Sequence, residues 1–351
     1  MAAGRPNTRI LEKRNEHVSY RPKVTPWQVE EDNFPAGDSP REKLTFLLQY
    51  AILAPSSHNT QPWLFDVDER EIALRVDTER WLPVADADKR ELYISAGCAL
   101  ENLLVAAEHF DYAADVDYVP DAEDQDLAAV VRFPELEEPS AHRPPELFQA
   151  ITRRHTSHRT FEDRPVSDQH RERLRACCVE EDVRVHLTDD EEKKDRLDEL
   201  VARADAAQFA DPEWRRELGY WMGKGVFGTS WIGSKIAKLI VTYLNLGKST
   251  AEKDSELLHS APLLGFMSTA TDDRALQVRV GQAFERLSLM AASLGYWTHP
   301  MSQALEVPEL REELAELLPV EGAVPQHVFR LGCAEPKDEH TPRRRLEEVI
   351  L

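Results

Sequence analysis

Long apolar runs are missing from this chain of 351 residues. A helix that crosses a bilayer needs about 20 apolar residues in a row. The most apolar stretch, Val226 to Leu246, carries Ser230, Ser234, Lys235 and Lys238, which are costly at a bilayer centre. It reads as a buried or lid-forming helix, so no membrane partner is expected. No basic leader with an apolar core and a cleavage site opens the sequence, and the expected location is cytoplasmic. Cysteine is scarce. Cys98, Cys177, Cys178 and Cys333 show no CxxC spacing, which gives neither a zinc pattern nor a disulfide framework and leaves reduced, mostly buried thiols as the expectation. Positive charge is also short: 43 Lys and Arg stand against 64 Asp and Glu, for a formal net charge of -21. A duplex backbone is repelled by such a surface, so no nucleic-acid partner is expected.

What the chain does have is enough hydrophobic residues, 42%, to bury a large core. Residues 1–38 are polar and dotted with Pro6, Pro22, Pro26 and Pro35, and read as an arm on the surface. Ser39-Pro40-Arg41-Glu42 reads as a helix start, with Leu44, Leu47, Leu48, Ala51 and Ile52 at helical spacing before Pro55. Residues 63–67 and 72–76 read as a hairpin, 91–110 as a long helix, and 115–118 and 128–133 as strands. Residues 134–146, with four prolines, form the best linker. Beyond it the pattern predicts helices over 146–154 and 168–178, a strand over 183–187, helical material from 190 to 246, a strand over 263–270, a helix over 273–295 and a strand over 326–331. The fold class expected is α+β, with one half at 39–135 and a second at 146–351.

The halves are related. Gly97, Ala99, Glu101, Leu103 and Tyr112 recur as Gly281, Ala283, Glu285, Leu287 and Tyr296, always 184 residues on. The bland alternative is a common amphipathic pattern. If the repeat is a duplication, Gly and Ala on one face let the two helices meet closely about a pseudo-twofold axis, a dimer-like interface within one chain.

Three segments hold candidate chemistry. In Ala54 to Trp63, Pro55 stops a helix and Ser56, Ser57 and Asn59 favour turns with free amides, suiting an anion or a flat polar ring; by composition a plain connector fits as well. Arg153 to Phe161 places Arg154, His155, His158 and Arg159 around Thr156 and Ser157, a phosphate clamp or a basic helix end. His155 and His158 lack a carboxylate or Cys companion, so no metal is expected. Arg343, Arg344 and Arg345 read as a solvated turn or as the rest of that clamp. Gly223 to Gly228 matches GxGxxG but follows a helix instead of a strand, and Gly228 to Gly233 misses GxSxG by one residue.

Taken together, these segments resemble the nitroreductase-like flavoproteins, specifically the Acg family of single-chain, duplicated members, from roughly Ser39 onward. The family's Pro-Ser-Ser-x-Asn-x-Gln-Pro-Trp loop stands unaltered at 55–63, its Arg-Arg-x-Thr segment at 153–156, and its closing Pro-Arg-Arg turn at 342–345. The resemblance implies one FMN per chain, held at a seam between the halves. Arg154, Thr156, Arg343 and Arg345 would hold its phosphate and ribityl groups, with His155 also at the cofactor, and Pro55, Ser56, Ser57 and Asn59 would pack against its other side. One extra residue before Phe161 leaves open whether His158 or Arg159 faces the pyrimidine edge. Amides near Pro300 and Met301 would face N5. The second, pseudo-symmetric site should be empty. NAD(P)H and an electron-poor acceptor, a nitroaromatic or quinone, are the implied partners, with no catalytic side chain required and the chain a monomer or homodimer. The alternative is a flavin-binding or flavin-sequestering protein, in which Trp221 to Asn245 covers the ring.

The spread of acidic residues suits a cytosol of high ionic strength, where screening shortens to a few ångström. Urea unfolding in dilute buffer and in multimolar salt checks this: the chain should gain stability with salt, and full stability without it removes the habitat argument.

Overall fold

Ser39 caps the first helix reciprocally. Its hydroxyl accepts from the Glu42 N–H and the Glu42 carboxylate accepts from the Ser39 N–H at 3.0 Å, with Pro40 in the first turn. The computed structural model describes residues 25–135, 138–140, 142–226, 231–243, 246–335 and 340–351. Most of the N-terminal arm, the Phe227 to Ser230 part of the rejected motifs, and residues 227–230 and 244–245 of the Trp221 to Asn245 cover lie outside these residues. Helix α1 (Pro40–Ala51) buries Leu44, Leu47, Leu48 and Ala51 and ends ahead of Pro55. Strands β1 (Trp63–Val67) and β2 (Glu71–Val76) form the expected hairpin, with the alternating burial of a half-covered sheet. Helix α2 (Arg90–His109), β3 (Asp115–Tyr118) and β4 (Leu127–Arg132) follow, giving an antiparallel sheet in the order β1-β2-β4-β3.

The second half repeats this plan. After α3 (Pro145–Ile151) and α4 (Asp168–Ala176) come β5 (Arg184–Thr188), four helices, β6 (Leu263–Thr269), α9 (Arg274–Ser293), β7 (Trp297–Pro300), α10 (Pro308–Leu314) and β8 (Val324–Gly332). Its sheet runs β5-β6-β8-β7, the same order and all antiparallel. The fold is therefore α+β, with helices between two antiparallel sheets. The halves differ where β1 turns directly into β2. There the second half inserts α5 (Glu191–Ala210), α6 (Pro212–Gly223), α7 (Trp231–Tyr243) and α8 (Gly247–His259).

Two elements depart from the sequence reading. Helical structure runs past residue 246, because α8 opens on Gly247 and is rich in polar side chains that hide its period. Strand β7 has only four residues and ends in proline, too short to alternate visibly, yet its pairing with β8 is regular from Trp297↔Gly332 to Pro300↔Phe329.

The repeated helices cross at their glycines. A Cβ on Gly97 would stand 2.0 Å from the Val278 carbonyl oxygen, and one on Gly281 would stand 2.0 Å from that of Ile94. Ile94 and Val278 are themselves 184 residues apart, so each contact is the image of the other, as a twofold axis through the crossing requires. The end of the chain also joins the halves: the Phe65 N–H donates to Val349 O at 2.8 Å and the Leu351 N–H to Phe65 O at 2.9 Å, extending the first sheet beside β1. Gly97→Ala should cost about 1–3 kcal/mol, the range for overpacking, because the methyl meets the α9 backbone at both Val278 and Gly281. Denaturant midpoints test it, and an unchanged midpoint would mean the crossing is looser than described.

Candidate functional site

The loop after α1 is held in an unfavourable backbone shape. His58, Asn59 and Gln61 all take positive φ, of 47°, 51° and 52°, conformations that cost non-glycine residues of order 1 kcal/mol or more. What offsets this is the bonding it creates. The Asn59 amide donates to Val226 O (2.7 Å) and Pro342 O (3.0 Å), and its oxygen accepts from Arg343 Nη1 (3.0 Å). The Gln61 side chain accepts from the Arg344 N–H at 2.7 Å. Within the loop, Ser56 Oγ accepts from the Gln61 N–H at 2.9 Å, and Ser57 Oγ donates to the buried Glu91 at 2.8 Å. The front loop and the C-terminal turn are thus one bonded unit.

The basic segment reaches the same place. Arg154 and Arg343 both donate to Leu53 O, at 3.4 Å from one and 3.1 and 3.3 Å from the other. Both guanidiniums are buried. Burial and the neighbouring Arg154 push Arg343 down to about 9. Burial, with Arg154, His155 and Arg343 around it, pushes His340 down to about 4, so that ring is neutral. His155 stacks on Trp297 with centroids 3.9 Å apart, and Thr156 bridges to Thr298 of β7. The carboxylate paired with this cluster is Glu285 of α9, 3.1 Å from Arg154 Nε and fully buried. Neither of its oxygens has a well-aligned hydrogen bond among the described residues. Burial pushes its carboxyl up and the two arginines offset only part of that, leaving it at about 7.

The pseudo-symmetric counterpart is Glu101, and its surroundings are closed. It receives Arg286 Nε and Nη2 at 2.6 and 2.7 Å and Arg143 Nε and Nη2 at 2.8 and 3.1 Å. Arg143 also pairs with Glu108, and Arg286 with Glu180 at 2.9 Å. Burial raises the Glu101 carboxyl, but these arginines outweigh it and hold it at about 2. Two guanidiniums here meet three carboxylates. At the Glu285 end two guanidiniums share one, and burial pushes that one up where Glu101 is held down.

Pro55, Ser56, Ser57, Asn59, Arg154, His155, Thr156 and Arg343 are therefore brought to one seam. Arg345 is not: its side chain is 72% exposed and pairs loosely with Glu348 at 3.8 Å. Between His158 and Arg159, it is His158 that packs on the sheet, edge-on to His299 with centroids 4.3 Å apart. Both side chains are exposed, and the Arg159 carbonyl accepts from Arg330 at 2.8 Å. The amides expected near residue 300 are absent or used, since Pro300 has no N–H and that of Met301 donates to Val328 O at 2.8 Å. Trp27 corrects the picture of a surface arm: it is buried, lies over Arg343 and stacks on His340 at 4.0 Å. A tryptophan among polar residues, 27 in Pro26-Trp27-Gln28, was the available signal. Glu285 was visible only as a repeat position, and nothing in the sequence separates its state from that of Glu101.

No family model matches the sequence. A protein of Mycobacterium tuberculosis named "Putative NAD(P)H nitroreductase Rv3131" is 29% identical over 328 residues, covering 91% of this chain and 92% of its own. Another from the same species, "Putative NAD(P)H nitroreductase acg", is 26% identical over 316 residues, covering 86% and 93%. Among solved structures, the FMN-dependent nitroreductase NfnB from Mycobacterium smegmatis, in complex with NADPH, aligns at 17% identity with a TM-score of 0.40, over 57% of this chain and 97% of that one. The likeness to the two curated relatives spans both halves of the chain.

Asn59→Ala should lower unfolding free energy by about 1–3 kcal/mol, since it removes the donor to Val226 O and Pro342 O and one acceptor of Arg343, which keeps Thr341 Oγ1 at 2.8 Å. Arg345→Ala should fall within about 0.5 kcal/mol of the parent, as exposed changes do. Urea unfolding compares them, and equal losses would contradict the division of the tail into a buried and an exposed arginine.

Proposed function

We propose that the seam binds FMN and that the chain is an FMN-dependent oxidoreductase, taking electrons from NAD(P)H to an electron-poor acceptor such as a nitroaromatic or quinone. The observation that carries this reading is the surplus positive charge at Arg154 and Arg343. Unpaired buried charge is costly, and a dianionic phosphate would supply there what Glu108 and Glu180 add to Glu101 at the twin position. The donors fit that group: two guanidiniums on different segments, with His155 and the Thr156 hydroxyl alongside, suit phosphate by charge and geometry. The relatives named as NAD(P)H nitroreductases support the nicotinamide as electron donor.

Bound FMN would supply the two-electron chemistry, accepting hydride from the nicotinamide and reducing the acceptor. The chain's own part is holding and shielding. Arg154 and Arg343 would hold the phosphate, and Asn59 fixes Arg343 while tying the front loop to it. Trp297 backs His155 as one wall. Val226, just beyond α6, closes on Asn59 and belongs to a second apolar cluster with Leu82, Ala85, Phe209, Trp214 and Trp221, which keeps water from that edge. The same closure favours the second reading, a flavin-sequestering protein with little turnover.

The visible spectrum of the purified chain separates these. One flavin per chain is expected, bleached within seconds by NADH or NADPH without oxygen. A yellow protein that neither nucleotide bleaches favours sequestration. A colourless protein that takes up no added FMN overturns both.

A further inference from the structure

The two repeated carboxylates have the same origin in the helix and opposite electrostatic fates. Glu101 is saturated by four N–H groups from two arginines. Glu285 has one ion pair, to an arginine whose other neighbours are a carbonyl and a second arginine. It is sealed in the crossing of α2 and α9 and has no water-facing surface.

We propose that Glu285 is the proton-linked counter-charge of the anion seat: when a phosphate dianion takes Arg154, the carboxylate left behind takes up one proton from solvent and becomes a neutral acid. This rests on the flavin reading above. The bond made is O–H on Glu285, the proton comes from water, and no electron moves. A neutral buried acid costs far less than a carboxylate whose cation has turned to another anion.

The groups facing Glu285 leave it as the one that responds near neutral pH. From α2 they are Glu101, held ionised, and Cys98, whose thiol burial pushes well above its usual range. From the basic segment and the tail they are Arg154 and Arg343, the second pushed down to about 9 by burial and by Arg154, and the Asn102 side chain of α2 lies against the carboxylate. Arg286, its neighbour on α9, turns to Glu101 and Glu180. From α3 the buried side chains are Leu147, Phe148, Ala150 and Ile151, none titratable. The free carboxyl sits at about 7, so below that pH the proton is already present and binding needs none. Above it, binding must bring the proton in, and affinity falls roughly tenfold per pH unit until the higher value of the complex is reached. The phosphate itself has its second pKa near about 6 and stays dianionic at pH 8 throughout.

Calorimetric titration of the full chain, freed of flavin, with FMN at pH 8 in buffers of different ionisation enthalpy reads the uptake directly. Close to one proton per FMN is expected, with affinity falling between pH 7 and pH 9. E285Q should bind with no uptake and a flat pH profile. Tight binding by the parent chain with no uptake and no pH dependence overturns the inference while leaving the flavin reading intact, and requires no variant to fold. Uptake undiminished in E285Q assigns the proton elsewhere and also overturns it. Absence of any FMN binding removes the flavin reading and this one with it.

Discussion

Close contact between α2 and α9 is the constraint from which the rest follows. Two glycines remove the side chains that would hold the helices apart, and each backbone then rests on a carbonyl of the other. At that distance Glu101 and Glu285 have no access to water, and each must find its partners within the protein. The helices thus do more than join two halves. They set two acids in equivalent dry positions and leave the surrounding loops to decide what each becomes.

Those loops decide differently. Around Glu101 the linker brings Arg143 and α9 brings Arg286, and the position is locked by ion pairs in which each guanidinium bridges two carboxylates. Around Glu285 the cations come from Arg154 and Arg343, which also bind Leu53 O and lie beside a strained loop. Buried ion pairs of the first kind contribute specificity more reliably than stability. The second kind is a poor way to build a core and a good way to build a receptor for an anion. Strain in Asn59 and Gln61 belongs to the same economy, since left-handed backbone there is what aims their amides at the tail.

Much of this was legible in the residues. Ser39 and Pro40 announced α1, the alternation of residues 63–76 announced the hairpin, and the recurrence of Gly, Ala, Glu and Leu announced the paired helices. Pro55 to Trp63 and Arg153 to Thr156 marked the two sides of the seam. What could not be read was side-chain direction in irregular segments: Arg343 and Arg345 are indistinguishable in composition, and only the turn sends one inward. Nor could the sequence show that Trp27 folds onto the tail, because no periodic element leads to it. The fate of Glu101 against Glu285 depends on partners 42 and 131 residues away, Arg143 and Arg154, a distance over which local pattern carries no information.

Carrying both sheets on one polypeptide has a consequence for how such a molecule can change. In a pair of identical subunits every substitution strikes both seats at once, so neither can be given up without losing the other. Here the copies mutate separately. The surroundings of Glu101 are closed by ion pairs while those of Glu285 are not, and a long helical excursion stands between β5 and β6 without a matching one between β1 and β2.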